Sequence, residues 1–124
     1  MICIRITKGV EGLDLSAHGH AAYAPRGQDV VCAGVSALLY AFIAYLEGLM
    51  PIATAGTSDG KTPSWRVRDE DGVLTVQTRG MGGADLDGLA VIQAGLGLIA
   101  STYPACVMLD INNHRKGDEH ESNG

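Results

Sequence analysis

Two side chains in this sequence have the types and the setting for nucleophilic chemistry, His20 and Cys32. His20 stands at the end of a run that alternates like a strand. Cys32 follows a loop containing Pro25 and Gly27, in the first turn of a long apolar helix. A helix N-terminus carries partial positive charge and unpaired N–H groups. A thiol placed there ionises more readily, and the thiolate is the nucleophile. His20, folded back beside it, is the base that would activate it. The residues alone also allow Cys32 to be a small buried side chain of an apolar helix, and spacing does not separate the two readings.

The neighbouring residues qualify this pair. Asp29 reads as the N-cap of the helix, which makes Cys32 its third residue, N3, whose N–H a capping carboxylate takes. Asp29 is either only a cap or also a third member that orients His20. Its charge opposes thiolate formation unless it is spent on the cap or on an imidazolium. Ser36, one turn after Cys32, either bonds a carbonyl of the preceding turn or lines a substrate groove. His18 is a solvated neighbour, with an alternative base as the rival reading. His18, His20 and Cys32 lack a convincing further ligand for zinc. Cys3 and Cys106 lie on expected strands without basic neighbours in sequence and read as structural.

The block Gly19-His20-Ala21, then Tyr23, Gly27 and Asp29, then Val31-Cys32-Ala33 and Ser36, resembles the ribosomal-processing cysteine protease (Prp) family. A weaker match is Tyr103-Pro104 followed by Val107. The resemblance covers roughly residues 1–112. It implies a catalytic dyad at His20 and Cys32, with supporting positions at Gly19, Asp29 and Ser36. It implies a substrate too: a short N-terminal extension of a large-subunit ribosomal protein or, in phage relatives, a capsid or scaffold protein. It further implies a homodimer and no cofactor. The resemblance decides for Cys32 as nucleophile and His20 as base. The rival functions are a non-catalytic binding module for a ribosomal or capsid partner, with the thiol inert, and a structural homodimer built through the first helix.

The elements that must position these groups follow from periodicity. Residues 2–7 alternate Ile2, Ile4 and Ile6 with polar neighbours and read as a strand, not as a signal peptide. Lys8-Gly9 turns the chain. A second strand covers 10–20, with Leu13, Leu15 and Ala17 on one face and Asp14, Ser16 and His18 on the other. Gly19 either breaks the pleat or ends the strand. The loop 22–28 is a lid or a plain connector. The first helix runs to about Leu49 and stops at Pro51. Its stripe of Ala33, Ala37, Ala41 and Ala44 invites close approach of another element, and its other side is also apolar, so it needs cover on both sides. Residues 52–63 form a polar connection. Ser64–Asp69 and Val73–Thr78 are strands joined by an Asp71-Gly72 hairpin turn. Gly80–Gly83 lead into a second helix capped by Asp85 or Asp87 and ending near Tyr103-Pro104. Gly88, Gly95 and Gly97 inside it suggest close packing against the alanine stripe. Residues 106–111 are the last strand, and 113–124 a polar, disordered tail that includes His114 and His120.

The order ββαββαβ predicts an α+β layer, two helices on a mixed, mostly antiparallel sheet. A length of 124 residues with 46% apolar composition fits one globular domain. The net charge of −5 argues against a nucleic-acid surface. The uncharged run from Val30 to Leu46 falls slightly short of the roughly 18–20 residues of a membrane span and reads as a core helix. An odd count of three cysteines without a paired spacing points to a reduced, cytoplasmic protein.

Overall fold

The computed structural model describes residues 1–25, 28–50 and 63–114. Gly27, Pro51, the 51–62 connection and the tail from 115, with His120, lie outside the described residues. The elements are β1 (Ile2–Gly9), β2 (Leu13–Gly19), α1 (Val30–Leu49), β3 (Ser64–Glu70), β4 (Val73–Arg79), α2 (Ala84–Thr102) and β5 (Val107–His114). The expected ββαββαβ order and α+β class are both present. The sheet order is β3-β4-β2-β1-β5, antiparallel except for the β1–β5 pair.

Strand alternation decides which face is covered. Ile2, Ile4 and Ile6, Leu13, Leu15 and Ala17, and Leu74 and Val76 are buried under the helices. The intervening positions face outward and carry ion pairs such as Arg5–Asp110 (3.4 Å) and Arg79–Asp14 (3.1 Å). Thr78 follows the same alternation into the core. A buried hydroxyl needs partners, and it has two: it accepts the Leu13 N–H (3.1 Å) and donates to the buried Asp85 carboxylate. The two bonds join β2, β4 and α2.

Several expectations are corrected. β2 begins at Leu13, not at residue 10, because the turn is closed by a bond from Gly9 N–H to the Gly12 carbonyl (2.9 Å). β5 runs past 111 to His114, because ladder pairing with β1 uses backbone groups and ignores the polarity of Asn112 and Asn113. Neither Asp85 nor Asp87 caps α2; the cap position is Gly83 (φ 92°), and Asp85 inside the first turn is taken up by Thr78 and the Leu86 N–H. The Asp71-Gly72 hairpin is as expected, both residues having positive φ as a two-residue type I′ turn demands.

The two apolar helices lie side by side on one face of the sheet. Val31, Val35, Leu39, Phe42 and Leu46 bury the sheet-facing side of α1. Contrary to the expected packing, the alanine stripe does not meet α2. Ala33, Ala37, Ala41 and Ala44 are exposed. The helix–helix seam instead sets Tyr45 on Gly88, Leu38 on Gly95 and Ile99 on Gly34. The Tyr45 hydroxyl also donates to the Ala84 carbonyl (2.7 Å). A Cβ at Gly88 would lie 2.3 Å from the Tyr45 ring, whereas one at Gly97 would meet nothing within 4 Å among the described residues.

The two glycines should therefore respond oppositely to alanine. Gly97→Ala gains helix propensity, about 0.5–1 kcal/mol. Gly88→Ala gains the same but must displace the tethered ring, a core overpacking cost of about 1–3 kcal/mol. Thermal melts should show Tm raised for Gly97→Ala and lowered for Gly88→Ala.

Candidate active site

β2 ends at Gly19, and that residue sets the path of the loop toward α1. Its φ is +96°, and a Cβ there would stand 2.1 Å from the Met1 carbonyl oxygen. Only glycine meets both demands. β2 ends at this point, and His20 lies beyond the ladder. His20 is exposed, and Ala21 turns inward and is buried. Ala22 then takes a positive φ of 55°, a conformation that L residues seldom hold.

From the other direction, Asp29 caps α1. Its Oδ1 accepts the Cys32 N–H (3.0 Å) and its Oδ2 the Tyr23 N–H (3.2 Å). The Cys32 N–H bond does most to hold this carboxyl below its ordinary range; the Tyr23 N–H and the Cys32 thiol add to it, against some desolvation. One carboxylate thus ties the start of the helix to the loop after β2. Cys32 is the N3 residue, as expected, and its half-buried Sγ accepts the Ala21 N–H (3.3 Å). The sulfur thus sits beside the first turn of α1 with a backbone N–H directed at it. Tyr23 packs edge-on against Tyr103 with ring centroids 5.3 Å apart, fastening the loop to the C-terminal end of α2.

A cleft of about 260 Å³ runs along the flank of α1. Cys32, Val35, Ser36, Leu39 and Tyr40 form one wall, at helical spacing. Ile2, Ala17, His18, Gly19 and His20 face them at one end, and Asp69, Gly72 and Leu74 at the other. The structure thus brings His20, Cys32, Ser36 and Gly19 to one groove, with His18 beside them. Asp29 stands behind it, its oxygens on backbone N–H groups. Ser36 lines the groove.

Tyr40 and Asp69 are cleft residues that sequence reasoning missed. Tyr40 had a signal, since it continues the spacing Cys32, Ser36, Tyr40. Asp69 had none, because its place depends on where the β3–β4 hairpin crosses α1. A larger cavity of about 520 Å³ lies elsewhere, its described lining residues being Lys8, Gly9, Val10, Leu86, Leu89, Ala90, Gln93 and Asn113.

The model of the family described as cysteine protease Prp matches residues 1–108 of this chain. The ribosomal processing cysteine protease Prp of Mycoplasma pneumoniae is 29% identical over 96 residues, spanning 77% of this chain and 84% of the relative. The crystal structure of an essential ribosomal processing protease Prp from S. aureus with a covalently linked product peptide superposes with a TM-score of 0.69. The identity is 26%, over 90% of this chain and all of that one. A second S. aureus Prp structure, with a substrate peptide, has a TM-score of 0.68 at 21% identity, over 90% of this chain and all of that one.

The cap makes a pH prediction. Asp29 has a depressed carboxyl pKa in the folded protein, so its contribution to stability is full above its ordinary value of 3.8 and is lost as pH falls through the folded value. Denaturant unfolding should find Asp29→Ala less stable than wild type at pH 7, with the gap closing below pH ~4. A gap that persists unchanged at pH ~2 would remove the charged cap from this account.

Proposed function

The chain belongs to the family of the cysteine protease Prp, and from that membership we propose that it is an endopeptidase that removes the N-terminal extension of a large-subunit ribosomal protein, using Cys32 and His20. The observation that carries the reading is the cleft itself, where Cys32 at a helix N-terminus accepts the Ala21 N–H and shares the groove with His20. In this mechanism the Cys32 thiolate attacks the scissile carbonyl carbon. His20 takes the thiol proton and returns it to the leaving amine. Water, deprotonated by His20, then hydrolyses the acyl-enzyme and frees the thiol. Asp29 already holds the N–H groups of Cys32 and Ala33. Backbone N–H groups at the start of α1 support the oxyanion.

The same reading includes a homodimer in a reducing, cytoplasmic setting. The exposed stripe Ala33, Ala37, Ala41 and Ala44 supports the dimer, as do Val91 and Leu98 on α2, at 74% and 68% exposure. These small and apolar side chains lie on the outward sides of the two helices. The setting is supported by three free cysteines. Light scattering should find a dimer at micromolar concentration, and Ala37→Arg should shift it to monomer.

Cys32→Ala should abolish cleavage and retain the uncleaved substrate. His20→Ala should keep the fold and lower kcat by about 10²- to 10⁴-fold. The double variant should be no worse than Cys32→Ala, since nucleophile and base act as a unit. His18→Ala should keep the larger part of the activity. Sequencing the N-termini of ribosomal proteins after incubation reads all four. Cleavage by Cys32→Ala at the wild-type rate, in a preparation free of other proteases, would overturn the assignment. Alkylation of Cys32 by iodoacetamide no faster than a free thiol would favour an inert binding module.

A further inference from the structure

The far end of the cleft is built by two groups that the mechanism leaves unused. Tyr40 stands two turns beyond Cys32 on the same wall, half exposed at 49%. Its hydroxyl donates to Asp69 Oδ2 at 2.7 Å. Asp69 alternates with Trp65 and Val67 and therefore projects from the helix-facing side of β3, opposite Leu74 in register. The bond to Asp69 is also the main cause that raises the Tyr40 pKa, so the phenol keeps its proton and remains a donor. The outward neighbour Arg68 pairs with Glu70 at 3.8 Å, on the opposite side of the strand from Asp69. The groove thus carries a fixed anion at one end and a thiol at the other.

On the reading of this groove as a peptide-cleaving site, we propose that Asp69, oriented by Tyr40, selects a lysine or arginine side chain of the substrate three or four residues from the scissile bond. The spacing follows from geometry. Eight helical residues from Cys32 to Tyr40 span about 12 Å at about 1.5 Å per residue. An extended peptide covers that distance in three to four residues at about 3.3 Å each. A peptide lying along α1 with its scissile carbonyl at Cys32 brings such a side chain to Asp69. The carboxylate has oxygen lone pairs to spare beyond the one used by Tyr40, and takes an ammonium or guanidinium group without losing that bond. The interaction is the same in the bound substrate and in the transition state, so it acts on KM and leaves kcat unchanged.

The test uses the full chain and synthetic peptides spanning the mapped cleavage site, with one Lys or one Glu moved through the positions within four residues of the bond on either side. Wild type should prefer Lys over Glu at one position three or four residues away, by about fivefold in kcat/KM at low salt, as expected for a partly exposed pair. Asp69→Asn keeps an acceptor for Tyr40 and removes the charge; it should abolish the preference. Asp69→Lys should invert it. Tyr40→Phe, which releases the carboxylate but leaves its charge, should weaken the preference and retain its sign. An identical Lys-to-Glu ratio in wild type, Asp69→Asn and Asp69→Lys would overturn the subsite and leave the peptidase reading intact. Failure of wild type to cleave any of these peptides would overturn both.

Discussion

The carboxylate of Asp29 is the joint on which the arrangement depends. It accepts two N–H groups: that of Cys32, in the first turn of α1, and that of Tyr23, in the loop arriving from β2. Holding both fixes the loop against the helix start. With the loop so held, the Ala21 N–H meets the Cys32 sulfur. The position of His20 in the groove is then set by Gly19 on one side and Ala21 on the other. Near a thiolate a carboxylate would ordinarily be a liability, because like charges oppose each other. Here its charge is met by the backbone N–H groups of Cys32 and Tyr23.

Helix α1 serves four directions at once, which explains why it is apolar nearly all round. One side is buried on the sheet by Val35, Leu39, Phe42 and Leu46. A flank meets α2 through Gly34, Leu38 and Tyr45. The other flank is a wall of the cleft, with Cys32, Ser36 and Tyr40 at successive turns. The remaining side is the exposed alanine stripe. A helix held along the sheet and against α2 is a rigid support, which the proposed role of Cys32 as nucleophile requires. The floor opposite comes from strand ends, where the ladder stops and side chains can leave the pleat.

Much of this was legible in the chain itself. Alternation in Ile2–Ile6 and Leu13–Ala17 marked the buried face of two strands, and the Asp71-Gly72 pair marked a hairpin, because both signals are local. Asp29 announced the start of α1 for the same reason: a cap acts over three residues. The motif residues Gly19, His20 and Cys32 were visible by type, and the helix start made Cys32 the N3 residue. Local chemistry thus determined the elements and their order, while the choice of His20 and Cys32 rested on the resemblance of their motif.

Contacts between distant elements were decided only by the tertiary structure. That β2 ends at Gly19, and that only glycine fits there, followed from the Met1 carbonyl, 2.1 Å from where a Cβ would stand. Asp85 looked like a cap because acids favour helix starts, but the buried Thr78 hydroxyl reached it first. The alanine stripe looked like a helix contact, yet Tyr45 and Leu38 fill the seam, since bulky side chains lying over glycines bury more apolar surface than small residues facing small residues. Asp69 entered the cleft through the path of a hairpin that no local pattern encodes. Sequence periodicity reports which side of an element is apolar; which neighbour covers that side is settled by packing over the whole chain.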